Sequence, residues 1–137
     1  DHHQGSEEQQ FGEEYFDEEI YDFSKKQVNT LPLFLKNIKE FNLEGYIEPL
    51  VMTSIDASFR VPNNLDLIFI DGSHTFESAR SDYKHWRPKL RPGGILAIHD
   101  IYDTEKEGGQ APKEIYLNAL ADGFKLIERI KSLVLLN

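Results

Sequence analysis

The sequence predicts an α/β domain of three layers around a mostly parallel sheet, and three observations carry that expectation. Two nearly continuous apolar runs, "LDLIFI" at 65–70 and "ILAI" at 95–98, have the character of strands covered on both faces. The residues between and after them return to a helical period, so strand and helix alternate. Each run then ends abruptly in polar residues, "DGSH" after the first and "HD" after the second. In sheets of this kind ligands collect at the carboxyl ends of the strands, which is where these polar residues fall.

The totals set the scale. A chain of 137 residues suits one domain with a sizeable core. Its 39% apolar and 12% aromatic content is that of a globular chain. With 24 acids against 15 Lys and Arg the net charge is −9, which works against nucleic-acid binding, because such affinity rests on cations displacing phosphate counterions. The absence of cysteine removes disulfides, thiolate metal sites and a Cys nucleophile. No secretory signal or long apolar run is seen, so a cytoplasmic location without membrane attachment is expected.

Along the chain, residues 1–22 hold nine acids and no Lys or Arg, with Phe11, Tyr15, Phe16, Ile20 and Tyr21 interleaved. Residues 1–29 are read as an acidic segment, either solvated and mobile or docked on the body through its aromatics. Thr30 is expected to cap a helix with Pro32 in its first turn and a stripe of Leu31, Phe34, Leu35, Ile38 and Phe41. "YIEPLVM" follows as a short edge strand, since Pro49 has no N–H to give to a ladder. After "LDLIFI", a helix from Thr75 to Leu90 turns Phe76, Ala79, Tyr83, Trp86 and Leu90 inward. "RPGG" makes a turn before "ILAI". Beyond the Gly108–Gly109 loop, Pro112 opens a helix with Ile115, Tyr116, Ala119 and Leu120 inward, and Gly123 stops it. "FKLIERI" and "SLVLL" close the sheet.

A right-handed crossover makes the two buried strands neighbours, about 4.8 Å apart, so their polar ends should meet. Asp71, His99 and Asp100 would then form a site for a hard divalent cation such as Mg²⁺, with the imidazole widening the choice toward Mn²⁺ or Fe²⁺. His74, three residues past Asp71, would face the same rim as a general base. The plainer alternative is that Asp71 and His99 only satisfy backbone groups at strand ends. His85, beside Trp86, reads as a surface residue. The opening "DHH" of Asp1, His2 and His3 resembles the name-giving motif of the DHH phosphoesterases, but that family's other Asp/His motifs are absent.

The stretch "DLIFIDGSHTFESARSDYKHWRPKLRPGGILAIHD" strongly resembles the class I, Rossmann-like S-adenosylmethionine-dependent methyltransferases, in the branch called methyltransferase family 24. The residues that carry the resemblance are Asp71, Gly72, His74, Asp82, Trp86, Pro92, Gly93, Gly94, His99 and Asp100. It implies methyl transfer from S-adenosylmethionine to a hydroxyl of a small-molecule acceptor such as a sugar, polyketide or phenol. It also implies Mg²⁺ on Asp71, His99 and Asp100, and His74 as the base. Asp1 would grip the cofactor ribose, Asp71 would border the same pocket, and Thr53 and Ser54, ending the third strand, would lie near the adenine. In the resembled fold the strand order is three, two, one, four, five, seven, six. "YIEPLVM" would be the third strand and "LDLIFI" the fourth, with the first two strands and the glycine-rich cofactor turn lacking. The 137 residues are therefore expected to be the C-terminal portion of one such domain, binding the cofactor weakly alone. The open edge of "LDLIFI" would be covered by further chain or by a second copy in a homo-oligomer. A non-catalytic binding module that kept this rim is the rival reading.

Overall fold

The computed structural model describes residues 1–13 and 15–137, so Glu14, one of the nine early acids, lies outside the described residues. The chain divides into two units, Asp1–Ala57 and Ser58–Asn137.

In the first unit the acidic segment is organised around its aromatics. Phe11, Phe16, Tyr21 and Phe23 form a cluster with several ring centroids 5.0–6.4 Å apart, although Phe11 and Phe23 remain largely exposed. A two-stranded antiparallel ribbon pairs β1 (Tyr21–Asp22) with β2 (Gln27–Val28). Asp22 Oδ1 accepts from the N–H groups of Ser24 and Lys25 and from the Ser24 hydroxyl, which closes the turn between the strands. Val28 is fully buried and touches the position where a Gly5 side chain would stand.

Helix α1 spans Leu31–Glu40 with Pro32 in its first turn, as the spacing predicts. Only Ile38 of its apolar stripe is buried; Leu35 and Phe41 are exposed. Thr30 stands at the cap position, yet its hydroxyl lies 2.8 Å from His3 Nδ1 and makes no cap bond. The expected strand "YIEPLVM" does not form. Residues 46–52 have no ladder partner, and the short helix α2 (Ser54–Arg60) follows instead. A local apolar pattern interrupted by Pro49 could not supply the neighbour that a strand requires.

The second unit is a four-stranded sheet of order β3-β4-β6-β5, where β3 is Leu65–Ile70, β4 Leu90–Ile98, β5 Leu126–Ile130 and β6 Leu133–Leu136. β3 and β4 are parallel, and β6 is antiparallel to both β4 and β5. Three strands thus share a direction, in the order expected for strands four, five, seven and six of the resembled fold. Helix α3 (Phe76–Trp86) and helix α4 (Ala111–Ala121) pack together over one face of this sheet. The core joins Ala79 and Tyr83 of α3 and Ala111, Ile115 and Ala119 of α4 to Ile68, Ile70, Leu96, Ile98, Val134 and Leu136.

Three details depart from expectation. On the other face of β3, Leu67 and Phe69 are 54% and 53% exposed, not buried as the apolar run suggested. Phe76 is exposed rather than inward, with the Arg80 guanidinium over its ring. The "RPGG" turn is an excursion inside β4. Leu65 pairs with Leu90 but Leu67 already pairs with Ile95, so two steps on β3 face five on β4. Gly93 takes φ +73°, which favours glycine, and Gly94 has carbonyl oxygens where a Cβ would point. Past the excursion the register is regular, Ile68 to Leu96 and Ile70 to Ile98. That register brings the two strand ends level.

Candidate functional site

The site is built by the residues that leave those two ends, all within the second unit. His99 donates its backbone N–H to Ile70 O at 3.0 Å, continuing the β3–β4 ladder by one residue. Its Nδ1 then sits 3.2 Å from Asp71 Oδ1 and 3.2 Å from Asp100 Oδ1. One ligand atom from each of Asp71, His99 and Asp100 lies within 4.8 Å of the other two. The expected meeting of the strand ends is thus seen at the level of side chains. Two carboxylates and an imidazole in that space form a donor set suited to a divalent cation.

Asp100 is the pivot. Its φ of +57° is a left-handed conformation that Asp tolerates better than most residues. Its Oδ2 lies 3.0 Å from His74 Nε2, and its Oδ1 accepts from the Tyr102 hydroxyl at 3.0 Å. Burial alone would raise this carboxyl. The hydrogen bonds from His74 and Tyr102, with the His99 and His74 imidazoles nearby, outweigh it and hold the group below the usual aspartate value. Asp100 is therefore ionised at neutral pH and only accepts, so in the bond between them His74 Nε2 is the donor.

His74 reaches this position from the loop between β3 and α3. Thr75 follows it as a true N-cap, its hydroxyl accepting from Ser78 N–H, so the start of α3 fixes where the imidazole begins. A small pocket lies against the group, with Asp71, His74, Asp82, His99, Asp100 and Ile115 among its lining residues. Gly72 lets Asp82 approach, since a Cβ there would stand 3.0 Å from Asp82 Oδ2.

Asp71, His74, His99 and Asp100 are thus the predicted residues that the structure brings together. Asp1, Thr53 and Ser54 belong to the first unit and each has a local role. Asp1 Oδ1 accepts from His3 N–H at 2.5 Å. Thr53 does not end a strand; its Oγ1 accepts from Asp56 N–H and donates to Asp56 Oδ2, while Ser54 opens α2. His2 and His3 of the "DHH" triplet are engaged with Gln4 N–H and Thr30. Sequence reasoning missed Tyr102, Ser132, whose hydroxyl is 3.4 Å from His99 Nε2, and the Gly108–Gly109 backbone against His74 and Tyr102. Only Tyr102 left a local signal, two residues beyond the His-Asp pair.

Curated relatives add short matches. A protein of Acanthamoeba polyphaga mimivirus, itself described as uncharacterized, is 26% identical over 69 residues, which is 50% of this chain and 28% of that protein. A second uncharacterized protein, from Sinorhizobium fredii, is 34% identical over 38 residues, 28% of this chain and 4% of its own length. The chain therefore spans less than a third of either relative. The family described as "Methyltransferase domain" matches residues 1–101, close to three quarters of the chain and all of the Asp71, His74, His99 and Asp100 group. By that match the chain belongs to the methyltransferase-domain family, methyltransferase family 24.

Proposed function

We propose that this chain is part of an S-adenosylmethionine-dependent O-methyltransferase in which a divalent cation, Mg²⁺ by preference, is held by Asp71, His99 and Asp100. The observation that carries the reading is the convergence of these three side chains at the ends of adjacent parallel strands, in a chain of the methyltransferase-domain family. Membership in that family implies S-adenosylmethionine as the methyl donor.

Methyl transfer from a sulfonium is an in-line displacement at carbon, so the protein's task is positioning and deprotonation. A cation bound at the rim would supply Lewis acidity toward an acceptor hydroxyl. The chain's own residues do the rest. Asp100 holds the His74 imidazole through Nε2 and stabilises the imidazolium formed when Nδ1 takes the acceptor proton. Tyr102 fixes the other oxygen of the same carboxylate. His74 Nδ1 is buried, with Gly109 beside it. Sugar, polyketide and phenol hydroxyls suit the reading; the net charge of −9 disfavours nucleic acid. No helix among the described residues is long and apolar enough to cross a membrane.

The test uses the full-length protein that contains this chain. Transfer of labelled methyl from S-adenosylmethionine to a panel of sugar, polyketide and phenol hydroxyls should require a divalent cation. Chelator should abolish it and Mg²⁺ restore it. Transfer that is indifferent to chelator would remove the cation from the account, and no transfer to any hydroxyl would favour the binding-module reading.

A further inference from the structure

The loop between β4 and α4 meets the site through two glycines, and neither has the positive φ that would explain it by conformation. What each lacks is room. A Cβ on Gly108 would lie 2.9 Å from Tyr102 Cγ and would strike the edge of that ring. A Cβ on Gly109 would lie 2.9 Å from His74 Cβ and 3.3 Å from its Cγ. Real Cβ atoms essentially never come within 3.0 Å of another group, and neither Tyr102 Cγ nor His74 Cβ is the free end of a flexible side chain. His74 holds Asp100 Oδ2, and Tyr102 holds Oδ1, which His99 Nδ1 also approaches. The loop is itself tied down at both ends. Thr104 N–H and Oγ1 donate to Glu107 Oε2, and Gln110 Nε2 donates to Gly108 O.

We infer that Gly108 and Gly109 are positioning residues, a side-chain-free backbone seat that presses Tyr102 and His74 onto Asp100 from one side. The inference deepens the methyltransferase reading, because it assigns these glycines to the ordering of the residues given the proton-accepting role there. A methyl group at either position would push one ring away from the carboxylate, and the Asp100 bond on that side would lengthen or break. Tyr102→Phe would loosen the same carboxylate by deletion, whereas the glycine variants do so by displacement.

The experiment reads the imidazoles of the free protein by two-bond ¹H–¹⁵N correlation, with neither cation nor cofactor present. The chain has five histidines, so the His74 signals can be assigned by substitution. In the wild type they should show one tautomer, protonated at Nε2. Gly109→Ala should replace that pattern by one averaged between tautomers, while Gly45→Ala, with nothing near its Cβ position, should leave it unchanged. A wild-type pattern in folded Gly109→Ala overturns the inference. If Gly109→Ala does not fold, Gly108→Ala decides. Its effect on the His74 signals should be present with Tyr102 and vanish in the Tyr102→Ala background, since the clash is with that ring. An equal effect in both backgrounds overturns the inference. Because the readout needs no turnover, failure of methyl transfer and failure of the seat are separate results.

Discussion

Replacing Gly94 by Ala tests whether the excursion in β4 sets the register on which the site depends. An added Cβ would lie 3.0 Å from Arg91 O, 3.0 Å from Leu65 O and 3.0 Å from Leu90 Cδ2. The leucine methyl can rotate aside; the two carbonyl oxygens belong to backbone and cannot. Relief requires the strands to part by a few tenths of an ångström next to the pairing of Leu65 with Leu90. Overpacking of this kind costs about 1–3 kcal/mol. For a chain of this length about 4 °C of melting temperature follows each kcal/mol, so the expected fall is roughly 4–12 °C. The assay is thermal unfolding followed by circular dichroism, with Gly45→Ala as the matched control, expected within about 0.5 kcal/mol of wild type. If Gly94→Ala melts together with Gly45→Ala, the close approach does not constrain β4, and the account of how Asp71 and His99 are brought level fails.

Other outcomes follow from the same structure. Ile115→Ala, in the core, lining the pocket and 1% exposed, should cost about 2–5 kcal/mol in urea unfolding. His74→Gln should lower turnover of the full-length enzyme by roughly 10²- to 10⁴-fold while leaving its melting curve nearly unchanged; full activity near neutral pH would return His74 to a structural role. Asp122 is held below the usual aspartate range, first by the Tyr83 hydroxyl at 2.8 Å and then by Arg87. A depressed carboxyl contributes stability that is present above its unfolded value, near about 4, and lost as pH falls through the lower folded value. Tyr83→Phe should therefore be less stable than wild type at neutral pH, with the gap closing in acid; a gap that is constant with pH would contradict it.

The parts of the fold that could be read from the chain are those whose cause is local and repeated. "ILAI" shows its burial in consecutive residues and "LDLIFI" in Ile68 and Ile70 alone, and Ile68, Ile70, Leu96 and Ile98 belong to the core. The α4 helix is read from Pro112 and from the spacing of Ile115 and Ala119. "YIEPLVM" misled because a strand is defined by a partner, which an apolar stretch does not provide. Thr30 misled because His3, distant in sequence, competes for its hydroxyl. At the site, Asp71, His74, His99 and Asp100 were legible because each stands at the end of a legible strand. Tyr102 and the Gly108–Gly109 seat were not, since a glycine chosen for lack of space looks in sequence like any loop glycine. The left-handed backbone at Asp100 likewise has no local marker.

The central claim is that Asp71 and Asp100, meeting through His99 at adjacent strand ends, form one cation site. Isothermal calorimetry of Mg²⁺ and Mn²⁺ with the full-length protein and its Asp71→Asn variant tests it most directly. Asparagine keeps the shape and removes the charge, and ligand charge sets affinity at such oxygen sites. The account predicts one divalent cation bound per wild-type chain at this rim, and affinity weakened by about tenfold or more in Asp71→Asn with an unchanged circular dichroism spectrum. Equal affinity in the two proteins would contradict it.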